Sequence, residues 1–142
     1  MASIHSVTFD CARPAALARF WAAALDGYAV RPYDDEEIRR LRERGILDAE
    51  DDPSVAVDPS GGGPTLFFTR VPEGKSGKNR VHLDLRPADR MEDEVERLLG
   101  LGATTVQSMR NEDGRWTVMH DPEGNEFCVE EGPGDEQDRD AG

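Results

Sequence analysis

Cysteine is scarce in this chain of 142 residues, which holds only Cys11 and Cys128. Two thiols in strand-like runs are too few for a disulfide framework, and free thiols in a reducing cytoplasm are expected. Positive charge is short as well: 17 Lys and Arg face 30 Asp and Glu, a net charge of −13. That balance excludes nucleic acid as a partner, because displacing phosphate counterions takes a basic face. No apolar run approaches membrane-spanning length, and no basic-then-apolar leader opens the chain, so no membrane partner is expected. Lysine is rarer than arginine, 2 against 15, which reads as codon bias rather than mechanism. The length suits one domain with a core of its own.

What is present is punctuated alternation, clearest from His120 to Glu130. Asp121-Pro122 starts a reversal, since proline fixes φ and pushes the residue before it out of the helical region. Gly124-Asn125 supplies the residues that tolerate positive φ. Phe127 and Val129 then alternate with Glu126, Cys128 and Glu130, the pattern of a strand with an oily back and a polar front. Such a strand lines a cavity or faces water, and a small-molecule pocket is expected.

The same logic runs from the start. Ile4 to Cys11 alternates as a half-buried strand, with Val7, Phe9 and Cys11 opposite Ser6, Thr8 and Asp10. Pro14 fits a first helical position, and Leu17, Phe20, Trp21, Ala24 and Leu25 recur at helical spacing up to Asp26-Gly27. A short strand over Tyr28 to Arg31 precedes a helix from Asp34 to Arg44, acids first and arginines last as the helix dipole favours. That helix is either a lid near a pocket mouth or a solvated insertion. Strands follow at Ser54 to Val57 and Thr65 to Val71, around a glycine-rich turn. Residues 72–78 read as an exposed linker.

The second half repeats the plan: a strand through Val81, Leu83 and Leu85, a helix from about Asp89 to Leu99 ended by Gly100 and Gly102, and strands at Thr104 to Met109, Trp116 to Met119 and Glu126 to Glu130. A shift of about 76 residues lays Ser6 on His82, Val7 on Leu83 and Phe9 on Leu85. The expected fold is α+β, with two tandem βαβββ modules at about 3–71 and 79–131. They form a curved mixed sheet around a pocket, with helices on its outer side. Residues 132–142 are polar, acidic and free of large apolar side chains, and a disordered tail is expected after a single domain over 1–131.

Five pieces carry a family resemblance: Val7-Thr-Phe-Asp-Cys11, Phe20-Trp21-Ala-Ala-Ala-Leu25, Val71-Pro-Glu-Gly-Lys75, Lys78-Asn-Arg-Val-His-Leu-Asp-Leu85 and Asp121-Pro-Glu-Gly-Asn-Glu-Phe-Cys-Val129. With the doubled plan, the chain resembles the vicinal oxygen chelate superfamily (glyoxalase and bleomycin-resistance type), in its glyoxalase-like domain branch. The resemblance implies a pocket in a sheet curved by two modules, often within a homodimer. It also implies a divalent metal held by the first and last strand of each module.

Carried over position by position, that metal set is Ser6, Thr69, His82 and Cys128. Hydroxyls are poor ligands for zinc, iron or nickel, so a metal cofactor is disfavoured; if one binds, His82, Glu126 and Cys128 are the donors. The pocket front is expected to comprise Ser6, Thr8, Thr69, Asp84, Trp116 and Cys128, with His82 and Glu126 as candidate proton-transfer groups. Each has a plainer alternative. His82 reads equally as a histidine bonded across the sheet, Glu126 better as a turn brace or arginine partner, Cys128 better as a small buried hydrophobe, and Trp116 equally as core. The expected function is binding of a small organic or natural-product ligand; the alternative is a lyase, isomerase or metal-dependent enzyme.

Overall fold

The computed structural model describes residues 1–141. The chain forms two compact units, Met1–Gly74 and Lys75 onward, dividing inside the segment 72–78. In the first, β1 (Ser6–Cys11) leads into α1 (Pro14–Ala24), with Pro14 at the helix start. The helix buries Leu17, Phe20, Trp21 and Ala24. Phe9 of β1 stacks on Phe68 at 5.1 Å between ring centroids and tilts against Trp21 at 5.5 Å, in geometries that aromatic rings prefer. Phe68 is fully buried, worth about 3 kcal/mol of hydrophobic stabilisation.

β2 (Tyr28–Val30), β3 (Ser54–Pro59) and β4 (Thr65–Arg70) complete a four-stranded sheet in the order β1-β4-β3-β2, with β1 and β4 parallel. α2 (Asp35–Glu43) is capped by Asp34, whose side chain accepts from the Glu37 N–H, and Leu41 is its one buried residue.

The second unit repeats this path. β5 (Leu83–Leu85), α3 (Met91–Leu101), β6 (Thr104–Asn111), β7 (Gly114–His120) and β8 (Glu126–Glu130) give the order β5-β8-β7-β6, with β5 and β8 parallel. Its core gathers Met91, Leu98, Met119, Phe127 and Val129. Gly100 lies inside α3, and Gly102 alone ends it, at a φ of 115° that favours glycine. β6 is an exposed edge strand that skips a register step between Thr105 and Gln107. The α+β class and the two βαβββ modules expected from the sequence are both present, as two mixed four-stranded sheets.

The expected disordered tail is corrected. Pro133–Asp140 is a helix, α4; Gly142 lies outside the described residues. Composition misled because a single short side chain anchors the segment. The buried Asp135 carboxylate accepts from the Met91 N–H and the Gly132 N–H, both at 2.9 Å, and so satisfies free donors at the start of α3 and just ahead of α4. The chain can come that close because Gly132 and Gly134 have no Cβ: one at either position would collide with Asp89. Ion pairs from Arg86 to Glu136 and from Arg90 to Asp138 add to the hold.

Candidate functional site

One face of the second sheet packs on α3; the other opens on a cavity of about 810 Å³. Strand alternation assigns the two faces. Leu83, Leu85, Phe127, Val129 and Met119 turn to the core, which leaves Asp84, Glu126, Cys128, Glu130, Trp116 and Val118 on the cavity side. Register sets them in rows across the sheet. Asp84 pairs with Cys128 and Cys128 with Val118, while Glu130 pairs with Trp116 and Glu126 with His120. Directly opposite side chains sit about 4.5–5.5 Å apart at Cβ, so each row is a contact set.

His82 lies one residue before β5. Its Nε2 is 3.2 Å from Asp84 Oδ1, with both side chains about half exposed. Residues two apart on a strand point the same way, and these two side chains are long enough to meet. His82, Asp84 and Cys128 bring one ligand atom each within 4.8 Å of one another. The Cys128 thiol is pushed up to about 11, first by burial and then by the Asp84 carboxylate, so it stays protonated at neutral pH and is no nucleophile there. Glu126 takes no part in that group. Lys78 Nζ donates to its Oε2 at 2.7 Å and holds the carboxyl below its usual range, the opposite of the burial-raised value that a general base at neutral pH needs. The expected ion pair exists, with lysine in arginine's place.

Of the sequence-predicted site residues, His82, Asp84, Trp116, Glu126 and Cys128 line this cavity. Ser6, Thr8 and Thr69 belong to the first unit and are not among the lining residues. Register compares the modules directly. Thr8 pairs with Phe67 as Asp84 pairs with Cys128, so the first-module counterpart of Cys128 is Phe67, and Thr69 corresponds to Glu130. The Phe67 ring lies 5.7 Å beneath the Arg31 guanidinium. Asp58 accepts from Arg31 Nε and Nη2 at 2.7 and 2.9 Å and from the Thr65 hydroxyl at 2.8 Å.

Of the four metal positions that the family resemblance implies, only His82 and Cys128 carry side chains suited to a transition ion. The first module offers the Ser6 hydroxyl and either a phenyl ring at Phe67 or a hydroxyl at Thr69, none a competent ligand for a transition ion. Sequence reasoning missed Lys78 and Glu130, although Glu130 shares the parity of Glu126 and Cys128. It also missed Glu136 and Arg139, which reach the cavity from α4, the segment read as disordered. Arg115 was missed too; its guanidinium donates to Glu131 at 2.8 Å across the cavity's end. No local pattern signals a pair 16 residues apart.

No curated protein sequence matches the chain. Solved structures share its fold at low identity. A glyoxalase/bleomycin resistance protein/dioxygenase family enzyme from Burkholderia phytofirmans is 16% identical, with a TM-score of 0.63 over 90% of this chain and 97% of that one. The fosfomycin resistance protein FosX from Mesorhizobium loti is 14% identical, with a TM-score of 0.61 over 98% of both chains. A glyoxalase-related enzyme from Fulvimarina pelagi is also 14% identical, at 0.61 over 92% of this chain and 88% of that one. A family model, that of the glyoxalase-like domain, matches residues 6–130, nearly the whole span of both sheets. The doubled βαβββ path and that match together make this chain a member of the glyoxalase-like domain family.

Proposed function

We propose that this protein binds a small organic ligand in the cavity on the second module's sheet, without the superfamily's metal. The observation that carries this reading is the cavity itself. Its volume of about 810 Å³ falls within the roughly 300–1,000 Å³ of small-molecule sites, and an indole, an imidazole, a thiol and carboxylates line it. The donor chemistry supports the metal-free part, since the first-module positions offer no nitrogen or carboxylate to complete a chelate. Metal analysis of purified protein tests it, together with mass spectrometry of what denaturation releases. The expected result is far less than one metal per chain. Stoichiometric zinc, nickel, iron or manganese overturns it.

One observation favours a second reading, a lyase or isomerase: the His82–Asp84 contact is the arrangement in which a carboxylate orients an imidazole for proton transfer. With Glu126 paired to Lys78, His82 is the only proposed proton acceptor left in that scheme. Turnover of a carbonyl or epoxide substrate that His82→Ala abolishes makes this reading lead. A cytoplasmic homodimer accompanies either reading, and sedimentation equilibrium tests the assembly.

A further inference from the structure

We infer that the cavity takes a planar cationic ligand, seated on Trp116 with its charge against Glu130, and not an anion. This rests on the cavity being the binding site and names the ligand's chemical class. The argument is one of charge balance among side chains already in contact. Lys78 is bound to Glu126 and Arg86 to Glu136, each at 2.7 Å. Arg115 and Arg139 converge on the Glu131 carboxylate, with Arg115 Nε at 2.8 Å. Every lining arginine and lysine is therefore already paired. An anionic ligand meets only cations already neutralised by a carboxylate, and it does so against a protein carrying a charge of −13.

The carboxylates are not used up in the same way. Among the described residues, no hydrogen bond or ion pair engages the Glu130 side chain, which is half-buried on the cavity face of β8. Its cross-strand partner on β7 is Trp116, also half-buried, so an indole face and an unpaired carboxylate stand side by side. Those are the two groups that recognise an aromatic or quaternary cation: the ring quadrupole attracts the positive face and the carboxylate fixes its position. Asp84 adds a second negative group next to the same row, with the His82 imidazole and the Cys128 thiol, both uncharged donors at neutral pH, beside it. The Cys128 thiol, between them on β8, registers this potential, because Asp84, Glu126 and Glu130 all help to hold its proton.

Three probes of similar size test the inference by calorimetry and by tryptophan fluorescence: N-methylquinolinium, its uncharged parent quinoline, and 2-naphthalenesulfonate. The cation is expected to bind at least about tenfold tighter than quinoline, as a charge-assisted contact warrants, and the sulfonate weakest of all. Glu130→Gln is expected to remove the cation's advantage and leave quinoline's affinity alone, with an unchanged melting curve. In the unaltered protein, added salt is expected to weaken the cation selectively, a readout that needs no variant. Equal affinities for cation and quinoline, preference for the sulfonate, or indifference to Glu130→Gln overturns the ligand class while the binding cavity stands. No binding of any probe up to about 1 mM overturns both together.

Discussion

The two modules trace the same path and fill its front face with different side chains. In the first, the position opposite Thr8 is Phe67, whose ring lies under Arg31, itself held by Asp58. Cation, ring and carboxylate there satisfy one another. In the second, the corresponding position is Cys128, a side chain too small to fill the space, and Asp84, Glu130, His82 and Trp116 are left around a cavity. Backs behave differently from fronts. Phe68 and Val129, equivalent by register, are both fully buried against a helix. A sheet face packed on a helix is constrained by volume and cannot drift far, whereas the opposite face is free to close on itself or to stay open.

The largest expected effect tests the shared back. Phe68→Ala empties a fully buried position stacked on Phe9 and is expected to cost about 3–5 kcal/mol, read by urea denaturation. Asp135→Ala comes next and probes a feature the first module lacks, a helix pinned after the last strand. Two buried donors lose their acceptor, about 1–3 kcal/mol, and amide exchange in 133–140 is expected to accelerate. Cys128→Phe makes the second front resemble the first. Binding of N-methylquinolinium is expected to fall more than about tenfold, while stability shifts by only about 1–3 kcal/mol.

Smaller effects follow from the charges. With the Cys128 thiol pushed up to about 11, its thiolate fraction at pH 7.5 is lower than an ordinary thiol's by roughly two orders of magnitude. Alkylation by iodoacetamide is expected to be slow and to accelerate only as pH rises toward 11. The raised value favours the folded state below the thiol's ordinary range, and that contribution is lost as pH climbs through about 11. Lys78→Met is the mildest change. The Glu126 carboxyl, now held low by Lys78, is expected to titrate closer to its usual range by NMR, with thermal stability barely moved because Lys78 is exposed. Glu126's contribution is present above the usual carboxyl range and is lost as pH falls, so the variant flattens that acid limb.

Much of the candidate site's lining was legible from parity alone. His82, Asp84, Glu126, Cys128 and Trp116 lie on the polar side of segments whose alternation is clean, and all five line the cavity. Partnership was not legible. Lys78 and Glu126 are 48 residues apart, and Arg115 and Glu131 are 16 apart, separations over which no periodicity speaks. The mid-chain glycines Gly61, Gly62 and Gly63 hid the first module's register, and only the pairing of β1 with β4 placed Phe67 opposite Thr8. α4 escaped because its apolar content is low, and low apolar content signals disorder unless buried hydrogen bonds replace it.

Two alternating halves with helical spacing between them were enough, by themselves, to specify a doubled βαβββ plan and to say which side chains face the solvent side of each sheet. Periodicity is local and needs no knowledge of neighbours. Tertiary structure alone decided which of those side chains are already neutralised, that the second module's front lines a cavity, and that the last eleven residues include a helix. Charge pairing and cavity volume depend on distances between residues far apart in the chain, and those distances exist only once strands have registered and packed.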